Sequence, residues 1–138
     1  AVSLCGEAGL TLDRLYIGPL ILPAAAQPES PRMVLEAIAA IRREFGTEIH
    51  IAGGHSNVSY GLPMRNLLNA AWLLLAIDAG ADAGIVDPLT THPDRLALLD
   101  RDPPAMKMAL AGFLGRDPYF MDFIEAVRDK TIVDPTAH

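Results

Sequence analysis

The sequence predicts an α/β protein built on parallel strands, and three observations carry that expectation. Three short segments rich in β-branched or aromatic residues each end at Gly, Pro or Asp-Pro. They are Leu15-Tyr16-Ile17, Ile49-His50-Ile51-Ala52 and Gly84-Ile85-Val86. Their starts lie about 34 residues apart, the length of one strand-loop-helix unit. Helical periodicity fills the stretches between them, as parallel neighbours require a crossover helix. Three strands make an awkward sheet, because two would be unpaired edges and a parallel sheet is normally covered on both faces. Either the chain is a small three-stranded α/β domain, or it is the last part of a larger barrel; the awkwardness favours the barrel.

The elements follow in order. The first strand closes at Gly18-Pro19. In Pro31–Phe45, Val34, Ile38, Ile41 and Phe45 recur at helical spacing, with Ser30 suited to the N-cap, Pro31 to the first turn and Gly46 to the stop. The second strand closes at Gly53-Gly54. Asn66–Ala79 reads as a helix that is apolar nearly all round and ended by Gly80, so it should pack on more than one side. After the third strand, Thr91-His92-Pro93-Asp94 suits a capped short helix and Pro104–Leu114 a longer one. Asp117-Pro118 should start an amphipathic helix carrying Tyr119, Phe120, Phe123, Ile124 and Val127. Residues 1–130 are expected to form the domain and residues 131–138 a frayed tail.

Composition limits the functions to consider. At 138 residues and 14.8 kDa there is room for one ordinary domain. A hydrophobic share of 51% permits a packed core. Seventeen acidic against eleven basic residues, a formal charge of −6, argue against nucleic acid or an anionic membrane as partner. The single cysteine, Cys5, cannot form an internal disulfide and fits a reducing compartment. The most apolar run, Leu67–Ile77, is too short to cross a bilayer, and no signal-peptide pattern opens the chain. The expectation is a soluble cytoplasmic protein. The start at Ala1 rather than Met fits processing or a piece of something longer. The four histidines show no ligand spacing, so no metal site is expected.

In parallel α/β folds ligands sit beyond the carboxyl ends of the strands. The second such loop is Gly53-Gly54-His55-Ser56-Asn57-Val58-Ser59-Tyr60-Gly61-Leu62-Pro63-Met64-Arg65. Its glycines allow a tight turn and close approach of a ligand. Neutral hydrogen-bonding side chains follow, then a cation eight residues after Asn57. That chemistry suits a flat, polar heterocycle. The loop has no thiol nucleophile and no paired carboxylates.

Several strings resemble a known family. They are Ser56-Asn57-Val58-Ser59, Gly61-Leu62-Pro63-x-Arg65, Leu68-Asn69, and Ala79-Gly80-Ala81-Asp82-Ala83-Gly84-Ile85-Val86-Asp87-Pro88. Together with Leu15–Pro23 and Gln27 upstream, they resemble the pterin-binding methyltransferases. That family comprises the methyltetrahydrofolate:corrinoid methyltransferases and the folate domain of cobalamin-dependent methionine synthase. The likeness runs from about Leu15 to Pro88. It implies a (β/α)8 TIM barrel of the dihydropteroate-synthase type, of which these would be strands six to eight. It also implies a transferase of one-carbon metabolism, moving methyl between N5 of tetrahydrofolate and the cobalt of a corrinoid. The corrinoid, a cobalamin, would be carried by a partner protein. Asn57 matches the asparagine that hydrogen-bonds near N5 and is the expected catalytic residue. Ser56, Arg65 and Asp87 are expected beside it as substrate-binding residues.

The departures matter as much. Gly18 stands where the family usually has an aspartate that accepts hydrogen bonds from the pterin. Losing such a bond weakens binding by about 1.5–3 kcal/mol unless another group substitutes. His55 replaces a commoner apolar residue, so either the substrate ring differs or a neighbouring side chain stands in for the carboxylate. The family's other pterin-binding residues lie on earlier strands. The chain is therefore expected to need those strands or another copy of itself, and to form a homo-oligomer. Two rivals remain. One is a dihydropteroate-synthase-like enzyme, although Gly54-His55-Ser56-Asn57 occupies the place of that enzyme's usual lysine loop. The other is a non-catalytic barrel subunit.

Overall fold

In the computed structural model, which describes residues 1–137, the three expected strand segments lie side by side in parallel. β1 (Tyr16–Ile17) pairs with β2 (His50–Ile51), Tyr16 opposite His50 and Ile17 opposite Ile51. The third segment is shorter than Gly84–Val86: it is a single bridge between Gly54 and Ile85. The reason lies one step earlier, where the N–H groups of Asp82 and Ala83 both donate to the Ile51 carbonyl, at 3.2 and 3.1 Å. Two donors on one acceptor break the even spacing of a parallel ladder.

Six α-helices accompany the described strands. They are α1 (Val2–Glu7), α2 (Ser30–Phe45), α3 (Arg65–Ala79), α4 (Pro93–Ala97), α5 (Pro104–Phe113) and α6 (Met121–Arg128). α1 had no sequence signal. Gly46 (φ 66°) and Gly80 (φ 118°) end α2 and α3 as expected. Ser30 is the first helical residue rather than the cap, because its N–H already has a partner in the Gln27 carbonyl of the preceding turn. His92 caps α4 through its ring nitrogen, which accepts from Asp94 N–H.

The last helix does not begin at Asp117-Pro118. Pro118–Phe120 form one 3₁₀ turn in which Tyr119 and Phe120 are left-handed, at φ 58° and 57°, and α6 starts at Met121. The buried carboxylate of Asp117 accounts for this by accepting from the N–H groups of Asp122 and Phe123 at 3.1 and 3.0 Å. Two first-turn donors are thereby capped from outside the helix. Aromatic packing offsets the backbone strain. Trp72, Phe113, Phe120 and Phe123 form a chain of edge-on rings with centroids 5.5, 4.9 and 5.9 Å apart. The Phe120 ring lies so close over Gly112 that no side chain fits there. Beyond α6, Ile132 is buried in the same core.

α3 is the central helix. Eight of its residues are buried, including Leu67, Leu68, Trp72 and Leu74, and it packs against both α2 and α5. Ile49 and Ile51 are fully buried on the helical side of the sheet. The other side is uncovered: Tyr16 is 66% exposed and Ile85 76%. At the amino end of the strands, Arg42 clamps three elements by donating to the carbonyls of Gly46, Ile49 and Gly80. Beside it, Asp82 accepts from Ile51 N–H at 2.7 Å and pairs with His50 at 2.9 Å, and the His50 ring stacks on Tyr16. Burial alone would push the Asp82 carboxyl up. The Ile51 and His50 hydrogen bonds and the Arg42 charge outweigh it and hold the carboxyl below its usual range. No described helix is long and apolar enough to cross a membrane.

Candidate functional site

At the carboxyl ends of the strands, the loops after β1 and β2 are joined by two hydrogen bonds. Asn57 Nδ2 donates to the Ile21 carbonyl at 2.7 Å, and Ala24 N–H donates to the Val58 carbonyl at 2.9 Å. The loop after β2 is no loose coil: His55–Ser59 form a 3₁₀ turn whose Val58 is fully buried. Because a carbonyl can only accept, the Ile21 bond fixes which end of the Asn57 amide faces it. Among the described residues Oδ1 has no protein partner, and Asn57 and Ser56 are both exposed. The site thus presents a held amide that can still donate one hydrogen bond and accept others, with a hydroxyl beside it.

Arg65 lies at the start of α3 and turns back onto this loop. Its Nη2 donates to the Ser56 carbonyl at 2.9 Å and its Nε to Ser59 Oγ at 3.1 Å, with the guanidinium 5.9 Å from the Tyr60 ring centre. Ser56, Asn57 and Arg65 are therefore brought together. Asp87 is not joined to them by any described hydrogen bond. One of its carboxylate oxygens accepts from Leu89 N–H at 3.0 Å, closing its own turn.

His55, unusual in the sequence, faces the interior: it is only 2% exposed and uses both ring nitrogens. Trp72 Nε1 is a donor only, so His55 Nδ1 must accept from it, at 3.0 Å. The proton then sits on Nε2, which points to the Ala83 carbonyl at 3.4 Å. Burial holds the imidazole below its ordinary value of 6.5, against the weaker opposing pull of that carbonyl. The ring covers Gly84 so closely that a Cβ there would lie 2.6 Å from it. His55 is thus a neutral bridge between α3 and the third strand segment, and cannot replace a missing carboxylate.

Gly18 has a physical cause. A Cβ at this position would collide with the Ala52 carbonyl of the neighbouring strand. The backbones of β1 and β2 approach too closely to admit the aspartate. A cavity of about 500 Å³ lies elsewhere, between α3, the third segment and α4. Leu73, Ile77, Ala81, Val86 and Leu96 line it, whereas Ser56, Asn57 and Arg65 do not.

Comparison with known proteins agrees with the geometry. The family described as pterin binding enzyme matches residues 1–87. The chain belongs to the pterin binding enzyme family. It is 30% identical over 123 residues to a methylcorrinoid:tetrahydrofolate methyltransferase of Eubacterium limosum, an overlap of 89% of this chain and 41% of that relative. The chain thus spans less than half the length of the curated relative it matches. The family implies a TIM-barrel-like fold, and the parallel α/β arrangement with one uncovered sheet face fits part of one. Sequence reasoning gave no role to Ser59 and Asn69, whose side chains are bonded to each other at 2.7 Å behind the exposed loop. The signal was present: Arg65, Asn69 and Trp72 stand at i, i+4 and i+7, one face of α3.

Two outcomes are expected. The native state resists protonating His55, so its contribution to stability is complete above pH 6.5 and falls as the pH drops below that value. The slope is at most about 1.4 kcal/mol per pH unit. Urea titrations followed by the fluorescence of the single tryptophan, Trp72, should show this slope, and His55→Gln should reduce it; an equal slope in both proteins would contradict the assignment. Gly18→Asp should lower stability by about 1–3 kcal/mol through steric overlap with β2. A gain in pterin affinity at unchanged thermal midpoint would show instead that the strands can part.

Proposed function

We propose that the chain supplies strands six to eight of a (β/α)8 barrel that moves methyl between N5 of tetrahydrofolate and the cobalt of a corrinoid. Tetrahydrofolate is the substrate, the corrinoid is delivered by a partner protein, and the reaction belongs to the cytoplasm. The observation that carries the reading is the Asn57 amide, pinned to Ile21 and exposed beyond the strand ends with hydrogen-bonding capacity to spare. The name of the Eubacterium limosum relative supports it, since that name states a transfer between a methylcorrinoid and tetrahydrofolate.

The chemistry explains why an amide suits the position. N5 exchanges a methyl group for a proton, so its charge and its hydrogen-bonding demand change along the reaction. Asn57 can donate to the nitrogen or accept from a protonated one without itself being the proton source. Ser56 adds a second hydrogen-bonding group at the same edge. Arg65 braces the loop and lends it positive potential, while the free oxygen of Asp87 is available at the end of the third segment. Gly18 favours a second reading, in which the chain is a non-catalytic part of the barrel.

The decisive assay uses the full-length protein with methyltetrahydrofolate and reduced cobalamin, and with methylcobalamin and tetrahydrofolate for the opposite direction. Asn57→Ala should lower kcat by about 10²–10³-fold, as loss of a transition-state donor does, and raise KM far less. Equal loss in both constants removes Asn57 from the chemistry, and folded protein without transfer in either direction supports the non-catalytic reading. For the 138-residue chain alone, the uncovered face predicts self-association in analytical ultracentrifugation. A stable monomer would contradict the open-barrel assignment.

A further inference from the structure

We propose that Ser59 and Asn69 are positioning residues for Asn57, forming with Arg65 a one-way hydrogen-bond chain that fixes the Ser56–Asn57 turn to one face of α3. The kinetic consequence rests on the methyl-transfer reading, whereas the geometric one does not.

The direction of the chain follows from what each group can do. Arg65 has donors only, so Ser59 Oγ must accept from its Nε, at 3.1 Å. The Ser59 hydroxyl is left with one hydrogen and two candidate acceptors, Asn69 Oδ1 at 2.7 Å and the Ser56 carbonyl at 3.3 Å. The shorter contact takes it. The Ser56 carbonyl is thereby left to Arg65 Nη2, at 2.9 Å. Asn69 thus decides whether the Ser59 hydroxyl also pulls on the Ser56 carbonyl. Without its oxygen, the Ser59 hydroxyl would turn to that carbonyl, whose second lone pair can take it, and pull on Ser56 from a second direction beside the guanidinium. Ser59 is fully buried, so water cannot substitute freely for either partner.

The consequence reaches Asn57 because it directly follows Ser56 in the same 3₁₀ turn. Its amide meets Ile21 from a backbone position that the Ser56 carbonyl helps to set. A displacement of about 1 Å in a reacting geometry can cost about a hundredfold in rate. Ser59 and Asn69 lie behind the loop, so their loss should fall on kcat and spare substrate binding.

The test uses the full-length protein and two readouts. In the wild type, the Asn57 side-chain amide proton bonded to Ile21 should exchange with solvent more slowly than its geminal partner in NMR spectra. Ser59→Ala and Asn69→Leu should abolish that difference and lower kcat at least about tenfold, with KM within about threefold. Asn69→Asp, which keeps an acceptor oxygen, should restore both. In the Asn57→Ala background, Ser59→Ala should cost no further rate. Unchanged amide exchange in both Ser59→Ala and Asn69→Leu would overturn the proposal. So would unchanged kcat in those variants while Asn57→Ala slows transfer. If the wild type transfers no methyl in either direction, the functional reading fails, while amide exchange still decides the geometry.

Discussion

The organisation of the site depends on how one helix holds one loop. α3 is almost wholly apolar, yet its face toward the loop after β2 carries three polar handholds: Arg65, Asn69 and Trp72. They grip the Ser56 carbonyl, the Ser59 hydroxyl and the His55 ring, so both ends of a five-residue turn are fastened to the same rigid element. Buried polar groups are stable only when paired, and these are: no described buried side-chain nitrogen or oxygen lacks a partner. A turn held in this way can expose Asn57 without the ordering cost of a flexible loop.

Much of the frame was legible because it is local. Strand segments ending at Gly or Pro, the helix stops at Gly46 and Gly80, and the all-round apolar character of α3 depend on neighbours within a few residues. What escaped depends on distant partners. His55 read only as a departure from a commoner apolar residue, because nothing nearby reveals that Trp72, 17 residues on, supplies a donor to it. The delayed start of α6 follows from a carboxylate at Asp117 reaching over a strained turn, where Pro118 alone suggests an ordinary helix start. Asn57 lies in the loop that the sequence singled out, but its partner there is not local. Its bond to Ile21 spans 36 residues, and no periodicity encodes it.

Gly18 illustrates how a departure from a family pattern acquires a cause. From the sequence it is a missing carboxylate. In the fold it lies just past β1, against the chain just past β2, with the Ala52 carbonyl occupying the space a side chain would need. The same closeness sets the loops that leave the two strands near enough for Asn57 to reach Ile21 and for Ala24 to reach Val58. Within these residues, the absence of a carboxylate at position 18 and the tightly joined pair of loops therefore accompany one backbone approach. Beside Gly18, a ligand would have to rely on neutral donors and acceptors and on the backbone.

That reliance bears on how the amide could act. A carboxylate at the strand end would draw positive charge toward a bound ring and favour its protonated form in the ground state. An amide held by a carbonyl does less in the ground state, because it is neutral and already has a partner. Its usefulness comes from being held: the Ile21 bond sets the direction of the remaining N–H and of Oδ1 before any ligand arrives. Dipoles fixed in advance need no reorganisation when charge develops at a nitrogen, and that is the condition under which a single neutral group contributes most to a transfer step. The bracing behind the loop and the amide at its tip are thus parts of one arrangement, in which rigidity substitutes for charge.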